Sequence, residues 1–348
     1  MSTTLGQDAV SATNDAPSDR TGWKSIVARY QGSDLSRSLL QLITTTFLLT
    51  AAFVAMHWSL EVSYALTLVL ALPTAGLLVR TFIIMHDCAH GSFFTNRRAN
   101  AVVGYVTGVV TLTPFEQWRR DHALHHASSG DLDRRGHGDI QTITVREYLE
   151  RDRWSRFKYR AFRHPFTLLV IGPLWLMVNQ RFRAADSKTT REKQERSVWT
   201  TNLGIVVTFA VLGYFFGHGD MLKIYLPSIY LAAMMGVWLF YVQHQFEDAY
   251  WQPHEEWDYV TSAIAGSSYL RLPRVMQWFS GSIGLHHVHH LGPKIPNYRL
   301  QRAHDENSLF HRVTVISFAD TFRLLNLALW DEETRQLVRF RDVSHRGR

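Results

Sequence analysis

The chain has 348 residues, of which 46% are hydrophobic and 19% charged, and its formal net charge is +7. The single cysteine, Cys88, excludes an internal disulfide framework and a cysteine-rich metal site. The positive charge fits a nucleic-acid binder or a membrane protein with a basic cytoplasmic face. Long apolar runs favour a membrane protein over a nucleic-acid binder, so we expect no nucleic-acid partner.

The N-terminal segment, residues 1–22, is polar, rich in Ser, Thr and Asp, and without periodicity. It is predicted to be a disordered tail before one membrane domain over residues 23–348. We expect no secretory signal peptide, because the first apolar run starts only near Leu39.

Four apolar stretches are long enough to cross a bilayer, which takes about 20 residues. They are residues 39–58, 64–85, 199–217 and 222–243. The links within the first and second pair are only a few residues long, which predicts two helical hairpins. Arg80 lies near one end of the second span, where it could snorkel. The fold class expected is therefore an all-α integral membrane protein.

Two shorter apolar stretches, residues 101–114 and 166–178, fall short of a comfortable span. We interpret them as re-entrant or interfacial helices, because one extra crossing would separate the histidines described below. The segment 320–343 alternates charged and apolar residues, which predicts an amphipathic helix on the membrane surface.

Arginine and lysine crowd the polar segments before the first span, after the second and before the third, whereas the hairpin links carry almost none. The positive-inside rule then places both termini and the polar regions in the cytoplasm. We expect a bacterial inner-membrane protein with a helical cap on that face.

Ten of the 18 histidines occupy four short places in the sequence. Within each cluster, histidines three or four residues apart share one face of a helix. A lone histidine, His244, follows the fourth span. The topology puts all four places on the cytoplasmic side, where they can converge. The three clusters are His86 and His90; His122, His125 and His126; and His286, His287, His289 and His290.

Nine of these imidazoles exceed what one ion can use, since zinc takes about four ligands in total. Two ions with four or five nitrogens each fit the number. Imidazole suits iron, zinc and copper, but open positions for dioxygen and access from the bilayer favour two non-haem iron ions. The predicted ligands are His86, His90, His122, His125, His126, His244, His286, His289 and His290.

Simpler explanations exist for these histidines. One cluster could be a pH-sensitive surface patch or a chance basic run, but matched spacing in three clusters argues against that. Haem ligation needs paired histidines inside the spans, and only His57 lies within one, near its end.

The sequence resembles the membrane fatty-acid desaturases of the acyl-lipid Δ12/ω-3 type. The three histidine boxes of that family are similar to His-Asp-Cys-Ala-His-Gly-Ser-Phe at residues 86–93, to residues 118–133 and to residues 286–291. Residues 243–251 are similar to the segment before the third box. The resemblance covers roughly residues 79–302.

This resemblance implies a di-iron centre, dioxygen as oxidant and two electrons from an external carrier. It assigns the ligand role to the nine histidines, leaving out His287, which is extra to the pattern. The third box begins with His286 where front-end desaturases have Gln, and no fused cytochrome b5 domain is expected. A separate ferredoxin is the first expected donor, with a cytochrome b5-type protein as the alternative. The implied product is a Δ12-like double bond in a lipid-linked acyl chain.

Four carboxylates lie close enough to the boxes to orient their imidazoles: Asp87, Asp121, Asp131 and Asp248. Four apolar or aromatic residues could line a path for the substrate, although packing is the commoner role of such residues: Met85, Trp118, Trp238 and Tyr241.

Other enzyme classes share the boxes and their metal chemistry, and only the product separates them. These are fatty-acyl hydroxylases, carotenoid hydroxylases or ketolases, and alkane hydroxylases. A metal transporter would need ionisable residues along the spans, which almost lack them. The sequence leaves open the double-bond position, the acyl carrier (glycerolipid, CoA or acyl carrier protein), the electron donor and the oligomeric state.

Overall fold

The computed structural model describes residues 22–136, 140–182 and 188–343, without the side chains of residues 188–190. The predicted tail, residues 1–22, lies outside these ranges except for Gly22. The helices in chain order are α1 (Trp23–Ala28), α2 (Leu35–Val62), α3 (Tyr64–His90), α4 (Arg97–Val110), α5 (Phe115–Ser128), α6 (Val145–Glu150), α7 (Arg153–Phe162), α8 (Gly172–Asn179), α9 (Lys188–Phe216), α10 (His218–His244), α11 (Tyr259–Ala265), α12 (Arg274–Phe279), α13 (His286–Leu291), α14 (Asn297–Glu306), α15 (Thr321–Leu324) and α16 (Phe340–Val343).

The five strands described are short and serve to tie loops together. They are β1 (Ile143–Thr144), β2 (Tyr269–Arg271), β3 (Val315–Ser317), β4 (Leu329–Asp331) and β5 (Gln336–Val338). β4 pairs in parallel with β1 and antiparallel with β5, while β2 pairs in parallel with β3. The molecule remains predominantly helical, as its sequence predicts.

Four long apolar helices, α2, α3, α9 and α10, confirm the four predicted spans. They have 27 to 29 residues each, which is about 40 Å of helix and longer than the hydrocarbon core of about 30 Å. The C-terminal turns of α3 and α10, which carry histidines, can therefore extend beyond the core.

One residue links each pair of spans, so the two predicted hairpins are present. Ser63 ends α2 and caps α3, its hydroxyl accepting a hydrogen bond from the Ala65 N–H at 3.2 Å. Gly217 joins α9 to α10 at φ +85°, a left-handed conformation that glycine adopts without strain. Large apolar side chains on α2 and α9 face outward, as lipid contact requires, while α3 is buried through its second half.

Arg80 does not snorkel freely from the end of a span. Its guanidinium lies 4.1 Å from the Trp278 ring centroid. It also donates to the Thr45 hydroxyl at 3.2 Å and to the Trp278 carbonyl. The α12 segment thereby covers this cation, and α2 and α12 each supply one acceptor to it.

The two shorter apolar stretches form short helices, as predicted. α4 has 14 residues, about 21 Å of helix, and cannot cross the bilayer. Residues Thr167–Ile171 form a π-helical turn that continues into α8. The unit Thr167–Asn179 is bent by 60° from α7, which is the geometry of a broken span or a re-entrant loop.

The prediction of one amphipathic helix over residues 320–343 is wrong. This segment forms α15, the β4–β5 hairpin and α16. The alternation of apolar and charged residues has the period of a strand, two residues, and Arg335 at φ +53° turns the hairpin. Leu329 and Trp330 are buried, so this segment packs into the protein.

Close packing fixes helix α5, which carries the second histidine cluster. In α4, a Cβ on Gly104 would lie only 2.3 Å from the Phe115 ring, so glycine lets that ring seat at the start of α5. On the other side, the Glu116 N–H donates to the Ser197 hydroxyl of α9 at 3.0 Å. Helix α5 is thus held between α4 and α9.

Candidate metal centre

The nine predicted histidines converge from four separate elements. His86 and His90 lie on the last turn of α3, and His244 is the final residue of α10. Helix α5 contributes His122, His125 and His126, and α13 contributes His286, His289 and His290. Eight of the nine form two groups, each with ligand nitrogens within 4.8 Å of one another.

The first group consists of His86, His90, His122 and His289. The Nε2 of His86 lies 3.1 Å from that of His289 and 3.1 Å from that of His122. The ninth histidine, His126, borders this group, because its Nε2 is 2.9 Å from that of His289 and 3.1 Å from that of His122.

The second group consists of four buried histidines: His125, His244, His286 and His290. The Nε2 of His244 lies 2.9 Å from that of His286 and 3.2 Å from that of His125. The two groups touch, since the His126 ring stacks on His290 with centroids 4.3 Å apart. The arrangement offers five nitrogens on one side and four on the other.

The donor set fits two metal ions. Imidazole nitrogens aim at each other at contact distance, and the buried Nε2 of His90 has no hydrogen-bond partner in the part of the chain that is described. A buried polar atom without a partner is costly unless another group satisfies it. A cation in each group would satisfy these lone pairs.

The imidazoles also have the protonation state that metal binding needs. Burial, reinforced by neighbouring imidazoles, lowers the pKa of His126, His289 and His290 well below the usual value. They are therefore neutral at physiological pH, the form in which histidine binds a metal ion.

Hydrogen bonds at the far nitrogen orient two of these rings. The Nδ1–H of His244 donates to the Gly266 carbonyl at 3.0 Å. His86 Nδ1 lies 3.3 Å from a carboxylate oxygen of Asp87. Each contact favours the tautomer with the proton on Nδ1, which leaves Nε2 free to bind a metal.

Of the four carboxylates singled out in the sequence, Asp87 contacts one of the nine rings, that of His86. Asp131 instead contacts His254, at 2.7 Å, and the exposed Asp248 accepts from Gln336 at 2.9 Å. Asp121 is half-buried on α5.

His287, which the family pattern leaves out, turns away from both groups. Its Nε2 lies 3.1 Å from Nδ1 of His304, and its ring packs against Phe310 and Tyr269. Burial lowers its pKa to about 3. The structure thus separates this histidine from its three neighbours on α13.

Two further residues, Asn297 and Trp118, contact residues of the site. Asn297 donates to Asp87 through its backbone N–H at 2.7 Å and its side-chain amide at 2.8 Å. Trp118, considered for a substrate path, stacks on His122 with centroids 4.3 Å apart. The Asn297–Asp87 contact joins residues far apart in sequence, and nothing in the local pattern predicts it, whereas Trp118 and His122 are four residues apart on one face of α5.

A narrow cavity adjoins the second group at His244. Aromatic and aliphatic residues dominate its wall, with Gln245 and Ser129 as polar members. Tyr241, one of the four residues considered for a substrate path, lies on this wall. The other lining residues used below are Ile140, Phe240 and Trp251.

Comparison with known proteins adds an independent line of evidence. The family model described as fatty acid desaturase matches residues 61–317. A fatty acid desaturase of Bacillus subtilis is 42% identical over 320 residues, covering 92% of this chain and 90% of that protein.

Plant proteins are more distantly similar. An endoplasmic-reticulum omega-3 fatty acid desaturase of Nicotiana tabacum is 29% identical over 64% of this chain and 59% of its own length. A temperature-sensitive sn-2 acyl-lipid omega-3 desaturase (ferredoxin) of Arabidopsis thaliana, from the chloroplast, is 27% identical over 64% of this chain and 52% of its own length. The chain thus spans somewhat more than half of these plant relatives.

Proposed function

This chain belongs to the fatty acid desaturase family and is an oxidoreductase, and we propose that it inserts a Δ12-like double bond into the acyl chain of a membrane glycerolipid. The reaction removes two hydrogens from neighbouring methylenes. With dioxygen, two electrons and two protons, it yields the alkene and two molecules of water. The glycerolipid and the bond position go beyond the family assignment.

The observation that carries the proposal is the convergence of nine histidines, eight of them in two adjoining groups and His126 beside the first. In this proposal His86, His90, His122, His126 and His289 hold one iron ion, and His125, His244, His286 and His290 hold the other. Bound iron would supply the dioxygen chemistry that amino-acid side chains cannot provide. The protein's own contribution is to keep the imidazoles neutral, orient them and exclude water.

The residues that line the cavity beside His244 are our candidates for the surroundings of the reacting methylenes; the cavity itself has about 10 Å³, room for about one water molecule, and must widen to admit an acyl chain. Phe240, Ile140 and Trp251 offer an apolar wall, which suits an acyl chain and disfavours bulk water. Since α10 ends at His244, this cavity lies where a membrane span meets the polar cap. A substrate that stays anchored in the bilayer could reach it.

A separate one-electron carrier would deliver the electrons, with ferredoxin as the first candidate and a cytochrome b5-type protein as the second. The name of the Arabidopsis relative includes ferredoxin, and the net charge of +7 suits an acidic partner. We further propose that the site and both termini face the cytoplasm of a bacterial inner membrane, because arginine and lysine concentrate in the segments on that side.

The test is lipid analysis of a host that makes only saturated and monounsaturated lipids and that also expresses a ferredoxin system. The parent chain, His125→Ala and His311→Ala would be compared by gas chromatography–mass spectrometry, with double bonds located. His311 is a matched control, because it is exposed and bonds the His304 carbonyl outside both groups.

A new unsaturated acid is expected with the parent and with His311→Ala, and none with His125→Ala. Analysis of intact phospholipids would establish whether the acid forms on a glycerolipid. A hydroxy acid in place of the alkene would assign the chain to hydroxylation. The proposal fails if purified, folded parent protein binds no iron, or if His125→Ala makes as much product as the parent.

A further inference from the structure

Helix α7 presents an aromatic face to the outside of the protein. Trp154, Phe157 and Phe162 are 63%, 58% and 41% exposed. The rings of Trp154 and Phe157 stack with centroids 5.4 Å apart and planes 15° apart. Such a paired aromatic surface is unfavourable in water and marks an interaction site.

The opposite face of α7 is already engaged. The Tyr159 hydroxyl donates to the Ala328 carbonyl at 2.7 Å and accepts from the Ile143 N–H at 3.2 Å. Arg163, at the C-terminal end of the helix, is buried and bonded to Tyr241 and Gln245. The helix therefore cannot turn its aromatic face inward without breaking these bonds.

The charges of α7 are all of one sign. Its ten residues include four cations and no acid. Arg156 and Arg160 are occupied by the Leu149 carbonyl and the Tyr148 hydroxyl. Arg153 and Lys158 are exposed, and the Lys158 ammonium lies 6.0 Å from the Trp154 ring centroid. A helix with aromatics on one face and cations beside them is typical of a membrane-surface segment.

The chain after α7 supports the same orientation. The 60° bend leads into Thr167–Asn179, where Ile171, Leu174 and Trp175 are exposed and apolar. If Thr167–Asn179 enters the bilayer, the 60° bend turns the axis of α7 towards the plane of the membrane surface. Its aromatic face is then continuous with a lipid-facing surface.

We propose that α7 lies in the headgroup region of the bilayer and binds anionic phospholipid. Trp154 and Phe157 enter the interface between headgroups and acyl chains, where aromatic rings are favoured. Arg153 and Lys158 contact lipid phosphate and add attraction to a negatively charged headgroup. This inference is independent of the proposed desaturation, because it concerns a different surface and a binding property.

The test is fluorescence quenching of the detergent-purified, full-length protein by brominated phosphatidylglycerol or brominated phosphatidylcholine. The chain has 11 tryptophans, so the signal of interest is the difference between the parent and Trp154→Phe. We expect Trp154 to be quenched at a lower fraction of phosphatidylglycerol than of phosphatidylcholine. Each cation near an anionic surface contributes about fivefold in affinity, so Arg153→Gln with Lys158→Gln should raise the phosphatidylglycerol midpoint about 25-fold.

The matched control replaces two exposed cations elsewhere, Lys294→Gln with Arg312→Gln, and should leave that midpoint unchanged. Thermal unfolding of both double variants checks that they remain folded. Absence of any Trp154 quenching would overturn the proposal and indicate that the aromatic face of α7 binds a protein partner. Equal quenching by both lipids, unaffected by loss of the two cations, would also overturn it, because α7 would then meet the bilayer without selecting a charged headgroup.

Discussion

The Asp87 carboxylate lies 3.3 Å from Nδ1 of His86, on the side of the ring that faces away from the histidine groups. Its other oxygen accepts two hydrogen bonds from Asn297, at the start of α14. The end of the second span is thereby fastened to the segment just after the third histidine cluster. One carboxylate both orients an imidazole and joins two parts of the cap.

Replacing this carboxylate should weaken metal binding more than folding. We expect Asp87→Asn to lower apparent iron affinity about 10- to 100-fold, because the single amide oxygen of Asn cannot accept from both His86 and Asn297, as the two carboxylate oxygens do. Iron retained by purified protein during competition with a chelator is the measurement. Asp248→Asn is the control, since that exposed carboxylate bonds only Gln336 among the described contacts. Equal iron retention in both variants would contradict a positioning role for Asp87.

Adjacent residues on α13 should behave in opposite ways. His286→Ala is expected to remove iron from the second group, whereas His287→Ala should keep the iron content of the parent. The latter loses a buried ring and its contact with His304, a loss of about 2–3 kcal/mol in unfolding free energy. Metal analysis and thermal unfolding of the same preparations separate the two effects. Loss of iron without loss of stability in His287→Ala would show that the assignment on this helix is wrong.

The spans and the meeting of the histidines could be predicted because both depend on local, periodic features. A run of about 20 apolar residues has few alternatives to crossing a bilayer, and histidines spaced at three and four residues must share a helix face. Nine imidazole nitrogens shared between two sites must also divide into sets of about four and five. In the structure, His125 belongs to the second group, and its neighbour His126 borders the first.

What could not be predicted depends on contacts between distant segments. The Asn297–Asp87 bond spans 210 residues, and no local pattern distinguishes Asp87 from Asp131 or Asp248 as an imidazole partner. The helix prediction for residues 320–343 is wrong because short strands buried by tertiary packing and a surface helix can both alternate charged and apolar residues.

A salt bridge near the loop after α5 gives a pH-dependent prediction. Arg135 contacts both carboxylate oxygens of Glu147, at 2.6 and 2.8 Å. The guanidinium holds the pKa of that carboxyl below its usual 4.5. The pair therefore stabilises the folded state above pH 4.5, and this contribution is lost as the pH falls through the lowered pKa.

Glu147→Gln isolates this charge, because Gln can preserve the capping box with Thr144. The side chain of Glu147 is 39% exposed, so solvent screening limits the expected loss to about 1 kcal/mol at pH 7. The difference from the parent should shrink as the pH approaches 3, as measured by thermal unfolding in detergent. Glu150→Gln, on the exposed end of the same helix, serves as control. A difference that grows on acidification would refute the predicted sign.

Arg163 is buried and connects four segments that surround the second histidine group. It donates to the Gln141 and Leu327 carbonyls, the Tyr241 hydroxyl, the Thr142 hydroxyl and the Gln245 amide oxygen, at 2.8 to 3.3 Å. Tyr241 lies on the last turn of α10, which ends at His244, and Gln245 caps that helix. Two guanidinium nitrogens serve these five acceptors, whereas a lysine ammonium has three N–H donors on one nitrogen and cannot reach them all.

Arg163→Lys should therefore be severe although it keeps the charge. We expect a loss of about 3 kcal/mol in unfolding free energy, since buried acceptors lose their donors. The iron content of the group that contains His244 should also fall, because the helix end that presents His244 is no longer held in place. The fall should exceed that in the Asp248→Asn control. Arg153→Lys, at an exposed arginine on the same helix, should change both quantities little. If Arg163→Lys unfolds at the parent temperature with full iron content, this network does not position the site, and the Gly266 carbonyl alone would have to fix His244.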